Sequence, residues 1–130
     1  MLDFGCGTGD FSIPAAKIAG KKGKIYALDC HPRQLQVVEK RAKKAGITNI
    51  QTILSENKVN LPDNSLDVVW MCDVLHEIRD KRGVLAEANR ILNQGGSLIV
   101  YDGLKDKVLE YTDGLFRLEL QEGKLLKLVK

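Results

Sequence analysis

The stretch Asp3-Phe4-Gly5-Cys6-Gly7-Thr8-Gly9-Asp10 decides how the rest of the chain is read. Met1 to Phe4 reads as the end of a strand, and Phe11 to Ala19 as a helix, so the glycines fall on a strand-to-helix turn. Glycine has no Cβ, so backbone N–H groups on such a turn can approach a ligand closely. The next apolar run, Lys24-Ile25-Tyr26-Ala27-Leu28-Asp29, reads as a neighbouring strand with a carboxylate at its tip. An acidic residue about 20 positions beyond the glycine turn is placed to accept hydrogen bonds from ribose hydroxyls. Together the two features predict a site for an adenosine-containing cofactor.

The spacing narrows the cofactor. A dinucleotide fingerprint is G-x-G-x-x-G, whereas Gly5, Gly7 and Gly9 give G-x-G-x-G, with Asp10 where the third glycine would stand. An aspartate at the opening of that helix would repel a pyrophosphate, which argues against a nicotinamide-dependent oxidoreductase. It would tolerate a ligand with an uncharged or cationic centre. Asp3, just before the glycines, adds a second carboxylate suited to an ammonium group.

Bulk properties set the class. A length of 130 residues fits one domain with its own core. Apolar content of 44% and charged content of 28% are those of a globular protein. The net charge of +3 does not by itself point to nucleic acid. The runs Lys21-Lys22-Lys24 and Lys40-Arg41-Lys43-Lys44 have no interleaved aromatic residues and read as solvated faces. No apolar run is long enough to span a bilayer, and the polar glycine turn at the start does not resemble a signal peptide. Cys6, Cys30 and Cys72 have no metal-like spacing and read as reduced thiols, which predicts a cytoplasmic protein with no metal site.

Along the chain, strands and helices alternate. Pro32 opens a helix to Ala45 with Leu35, Val38 and Ala42 on one face, and Gly46 ends it. Asn49 to Leu54 reads as a strand, Ser55 to Ser65 as a loop, and Leu66 to Cys72 as a buried strand. A helix over Asp80 to Leu92 is followed by a turn at Gly95-Gly96 and a strand over Ser97 to Tyr101. Lys105 to Tyr111 reads as a short helix, and Leu115 to Leu120 and Lys124 to Val129 as a hairpin about Gln121-Glu122-Gly123. The expected fold class is α/β: a Rossmann-like, mostly parallel sheet with helices on both faces and a C-terminal antiparallel hairpin.

Five segments in order carry a family resemblance: D-F-G-C-G-T-G, A-L-D-C, L-P-D-N-S-L-D-V-V, D-V-L-H-E-I and A-N-R-I-L-N-Q-G-G-S-L-I-V. From Met1 to about Asp102 the chain resembles class I S-adenosylmethionine-dependent methyltransferases, in the branch that includes ubiquinone- and menaquinone-biosynthesis enzymes. The resemblance implies a transferase that uses S-adenosyl-L-methionine to methylate a small molecule. It places Gly5, Gly7 and Gly9 beneath the methionine and ribose, Asp3 on the ammonium, Asp29 on the ribose hydroxyls and Cys30 near the adenosine. Glu56, with Asn57 beside it, matches the position that meets the adenine amino group. Cys72 and Asp73 would line the cofactor or acceptor side after the fourth strand, and His76 is the general-base candidate there. His31, before Pro32, reads as a surface turn residue.

The family commonly has helices ahead of the glycine motif that cover the acceptor pocket. The expectation is therefore a single domain over residues 1–130, shortened at its front relative to the family. Two alternatives follow: the chain is a fragment of a longer protein, or a second copy or a partner chain covers the open acceptor side. A protein that binds the cofactor without turnover is the alternative. Amino-group DNA methylation is disfavoured, because Asp73-Val74-Leu75-His76 stands where an Asn/Asp-Pro-Pro-aromatic signature would be.

Overall fold

In the computed structural model, which describes residues 1–130, the chain packs as two compact units, Met1–Glu56 and Asn57–Lys130.

The first unit is a three-stranded parallel sheet with two helices. Its strands are β1 (Leu2–Phe4), β2 (Ile25–Asp29) and β3 (Ile50–Leu54), in the order β3-β2-β1. Every residue of β1 is buried, and β2 is buried at all positions but Tyr26. Such near-continuous burial is typical of parallel strands. Helix α1 (Ser12–Ala19) tolerates Pro14 because the first turn needs no backbone donors. Helix α2 (Pro32–Lys44) starts on its proline and buries Leu35, Val38 and Ala42. The cations Arg41, Lys43 and Lys44 in its last turn oppose the negative end of the helix dipole. Cys6, Ala27, Leu35 and Val38 form one buried cluster. Asn49 ties down the end of α1, its side-chain amide donating to the carbonyls of Ala16, Gly20 and Gly23 at 3.0, 2.9 and 3.2 Å.

The second unit has strands β4 (Leu66–Cys72), β5 (Leu92–Tyr101), β6 (Arg117–Glu122) and β7 (Leu125–Val129), in the order β4-β5-β7-β6. β4 and β5 are parallel, and the β5–β7 and β7–β6 pairs are antiparallel. Helix α3 (Lys81–Ile91) is capped by Asp80, whose Oδ1 accepts from Gly83 N at 2.9 Å. It buries Val84, Leu85, Ala88 and Ile91. Helix α4 is Lys105–Thr112. The mostly parallel α/β class with a C-terminal hairpin is therefore observed.

Two sequence expectations are corrected here. Gly95-Gly96 does not turn the chain into a strand that starts at Ser97; both glycines lie within β5. Leu66 pairs with Leu92 and Val68 with Ser97, so β5 carries Asn93 to Gly96 where β4 has only Asp67. The bulge is held because Gly95 N donates to Lys130 O and Lys130 N to Gly96 O, both at 3.0 Å. In the hairpin, β6 runs on to Glu122, which pairs with Leu125, and the turn is Gly123-Lys124. Gly123 supplies the left-handed residue (φ 57°) that the tight connection requires.

Candidate functional site

The first unit presents the glycine turn. Gly5, Gly7 and Gly9 all have left-handed backbone, with φ of 76, 54 and 87°. That conformation is costly for residues with a Cβ, which explains three glycines at alternate positions. The turn is stitched to β2: Gly5 N and Cys6 N both donate to Leu28 O, at 2.8 and 2.9 Å. The glycines differ in what surrounds them. A Cβ on Gly7 would meet nothing within 4 Å, whereas one on Gly9 would lie 3.1 Å from Val38 and 3.5 Å from Ile13. Gly7 thus leaves space over the turn, and Gly9 lets α2 pack close beneath it.

Asp29 closes β2 beside this turn and is 8% exposed. Its Oδ2 accepts from Gly7 N at 3.0 Å, and its Oδ1 from His31 N at 2.9 Å. The His31 ring stands 3.1 Å from the same Oδ1. A carboxylate has about four acceptor sites, so acceptor capacity remains for a ligand hydroxyl. Cys30 is exposed beside it, and Glu56 is exposed at the end of the unit. Asp29, Cys30 and His31 bring ligand-type atoms within 4.8 Å of one another because they are consecutive in one turn.

Asp3 lies inside, 3% exposed, with Oδ2 accepting from Ser12 Oγ at 2.6 Å. Burial, with a smaller contribution from the charge of Asp29, pushes its carboxyl up to about 6 against the opposing bonds from Ser12. Burial, then the charges of Asp3 and Asp29, pushes the Cys6 thiol up to about 12. A thiol in that state is a packing group rather than a nucleophile.

Two features of this unit escaped the sequence reading. Ser12 is one. Arg41 is the other: placed above on a solvated face, it instead reaches back from α2, its Nη1 donating to Thr8 O and to Asp10 Oδ1, both at 2.8 Å. It braces the glycine turn and neutralises Asp10, so repulsion by Asp10 is a weaker argument against a pyrophosphate than the sequence suggested.

The second unit presents the carboxyl ends of β4 and β5, where open α/β sheets bind ligands. Asn57 and Cys72 are exposed. The loop after Asn57 is held by Arg90 of α3, which donates to Val59 O at 2.9 Å, Leu61 O at 2.8 Å and Asp63 Oδ1 at 2.7 Å. Asp73 adopts left-handed backbone (φ 49°), with its amide donating to Tyr101 O at 2.8 Å. A 3₁₀ turn at Leu75–Glu77, absent from the sequence reading, follows it. It sets His76 against Asp102, with Nδ1 to Oδ2 at 3.2 Å. Asp102 is 1% exposed and also accepts from His76 N at 3.3 Å and Leu104 N at 3.0 Å. Burial alone would raise the Asp102 carboxyl, but the Leu104 and His76 donors outweigh it and hold the group below its ordinary value. Asp102 was not among the expected site residues. Its signal was an acid just past the apolar run that ends at Tyr101.

Comparison with known proteins agrees with this architecture. A family described as a methyltransferase domain matches residues 1–122. The demethylmenaquinone methyltransferase of Bacillus velezensis is 32% identical over 117 residues, covering 88% of this chain and 50% of that protein. The enzyme of the same name from Geobacillus stearothermophilus is 37% identical over 97 residues, covering 73% of this chain and 41% of that protein. The chain thus spans about half the length of the curated relatives it matches. Among solved structures, a SAM-dependent methyltransferase from Aquifex aeolicus superposes with a TM-score of 0.85 at 26% identity, over 98% of this chain and 78% of that one. No helix is long and apolar enough to cross a membrane. With its Rossmann-like α/β fold and its glycine turn, the chain belongs to the methyltransferase domain family, in the class I, S-adenosylmethionine-dependent group.

Proposed function

We propose that this chain binds S-adenosylmethionine and takes part in methyl transfer to a small-molecule acceptor by in-line displacement. The observation that carries the reading is the left-handed glycine turn bonded through Gly7 N to Asp29, with open space over Gly7. When bound, the sulfonium supplies an electrophilic methyl group with a thioether as leaving group. The chain's residues bind and orient. Asp29 accepts from the ribose hydroxyls, and Gly5 and Gly7 let the ligand lie close to the backbone. Cys30, Glu56 and Asn57 border the adenosine, while Cys72 and Asp73 border the cofactor or acceptor. Asp3 receives the ammonium. Alignment of nucleophile and methyl carbon can supply roughly 7–11 kcal/mol of barrier lowering in favourable cases. The names of the relatives direct the first acceptor screen to quinol rings.

Calorimetric titration with S-adenosylhomocysteine tests the reading. Asp29→Ala should weaken binding by about 1–3 kcal/mol, as expected for loss of a charged acceptor. An unchanged dissociation constant would remove Asp29 from the site. NADH binding without S-adenosylhomocysteine binding would overturn the cofactor assignment, and tight binding with no transfer to any acceptor would favour a non-catalytic binder.

A further inference from the structure

Asp29, Cys30 and His31 put a carboxylate, a thiol and an imidazole on one bend between β2 and α2, with their ligand-type atoms within 4.8 Å of one another. Adjacency in a straight strand would not do this, because successive side chains there point to opposite faces. The bend is held by Asp29 Oδ1, which accepts from the His31 amide at 2.9 Å. It turns the exposed His31 ring back, so that Nδ1 lies 3.1 Å from Asp29 Oδ1 and 3.3 Å from Cys30 Sγ. One proton on Nδ1 can be aimed at only one of those two atoms, whereas a cation is a common partner for all three. Ligands of a tetrahedral zinc ion stand roughly 3.3–3.6 Å apart, given metal–ligand distances of about 2.0–2.3 Å. Both observed separations are close to that, and small side-chain rotations make up the difference. The donor set selects the ion. A thiolate beside an imidazole suits zinc and similar thiophilic cations, and it does not suit magnesium or calcium, which take oxygen ligands. Cys30 is exposed and the His31 side chain is 73% exposed, so the remaining coordination position opens to solvent and the ion can exchange. The site draws on one cysteine and its chain neighbours, which is why the spacing between cysteines gave no sign of it.

We propose that Asp29, Cys30 and His31 form a binding site for a thiophilic divalent cation of the zinc type, and that this ion and the adenosyl cofactor exclude each other. The cation site stands on the bend alone. The exclusion rests on the cofactor reading above, in which the acceptor capacity left on Asp29 serves the ribose hydroxyls. On binding, the Cys30 thiol gives its proton to solvent, and the neutral His31 ring carries its proton on Nε2. The metal then bonds to Sγ, Nδ1 and Oδ1. Oδ2 keeps the Gly7 amide, so the glycine turn stays tied to Asp29 while Oδ1 is withdrawn from the ribose. A free thiophilic cation thereby lowers cofactor occupancy.

The test uses the whole chain with its thiols kept reduced by a phosphine. Co²⁺ is the first probe, because a cobalt–thiolate bond gives a near-ultraviolet charge-transfer band. The band should appear on titration, persist in Cys72→Ser and be lost in Cys30→Ser. No band, or one that survives Cys30→Ser, overturns the proposal. Zn²⁺ should displace the cobalt and bleach the band, while excess Mg²⁺ should leave it; bleaching by Mg²⁺ is equally fatal. His31→Gln keeps the backbone bond to Asp29 and should weaken Zn²⁺ binding by about tenfold or more, and an unchanged affinity removes His31 from the site and sinks the proposal. All three substituted side chains are exposed, so the variants are expected to fold. Calorimetry with S-adenosylhomocysteine then tests the exclusion. With free Zn²⁺ at ten times its dissociation constant, the apparent dissociation constant of S-adenosylhomocysteine should rise about tenfold and keep rising in proportion to zinc, with the reciprocal effect on zinc that linkage requires. S-adenosylhomocysteine can itself chelate zinc, so His31→Gln is the control: the same zinc concentration should cost it about twofold or less. An equal loss in His31→Gln, or simultaneous binding with both affinities unchanged, refutes the exclusion. Failure of the metal-free, unmodified chain to bind S-adenosylhomocysteine sinks the cofactor reading and the exclusion with it, whereas the cobalt band still decides the cation site.

Discussion

Asp3 shows how a buried carboxyl acts on stability. Burial raises its carboxyl from 3.8 to about 6, so between those values the native state holds a proton that the unfolded chain has released. The native state binds more protons there, and stability therefore falls as pH rises from about 4 to about 6 and stays at the lower level above. The full effect is on the order of 2–3 kcal/mol. Asp3→Asn keeps an acceptor for Ser12 Oγ and removes the titration. Urea denaturation should show the variant gaining stability at pH 7 and losing the slope between pH 4 and 6. If Asp3 receives an ammonium, the variant should also bind S-adenosylhomocysteine at least tenfold more weakly. A more stable fold with a weaker site is the trade expected of a group kept for binding. Unchanged stability at pH 7 would show that burial of Asp3 carries no cost. The sequence offered the carboxylate as a group suited to a cation. Its burial was not, because that depends on Ser12 folding back across the turn.

Elements were legible where periodicity and punctuation agreed. α2 shows the helix period on one face, a proline at its start and a glycine after it, and it formed within a residue of the expected bounds. β4 formed over the expected residues. Misreadings arose where a residue's partner lies far away in sequence. Arg41 looked like one cation in a solvated run, yet it bonds Thr8 and Asp10. Gly95-Gly96 looked like a turn because the chain's last residue, which bonds to both, cannot be foreseen from local pattern. The β5 bulge yields a contrast between two adjacent glycines. A Cβ on Gly96 would stand 2.8 Å from Asn93 O and 3.2 Å from Asp67 O, both backbone atoms. Gly95 is left-handed (φ 79°) with nothing within 4 Å of its Cβ position. Gly96→Ala should therefore cost about 2–3 kcal/mol from overpacking. Gly95→Asn, a residue that tolerates left-handed backbone, should cost less than about 1 kcal/mol. Equal losses in chemical denaturation would mean that the bulge relaxes around either side chain.

At the scale of the whole molecule, strand–helix alternation and five ordered segments made the family legible, while the His76–Asp102 cluster of the second unit was only partly so. His76 was visible as a histidine after a strand. Its partner Asp102 lies 26 residues away, and only the parallel pairing of β4 with β5 brings the two strand ends side by side. The glycine turn of the first unit offers the last test, because the bonds that shape it are made by amides whose exchange can be followed. Gly7 N and His31 N both donate to Asp29, and Gly5 N and Cys6 N to Leu28 O. A ligand that binds only the native state stabilises it by mass action, by about 2.7 kcal/mol at a hundredfold excess over its dissociation constant. Under that excess of S-adenosylhomocysteine, hydrogen exchange at these four amides should slow by up to about 100-fold. Asp29→Ala should lose most of that protection while keeping its native circular dichroism. Protection confined to other parts of the chain, with these amides unaffected, would place the ligand away from the glycine turn and remove the ground for reading Asp29 as its ribose anchor.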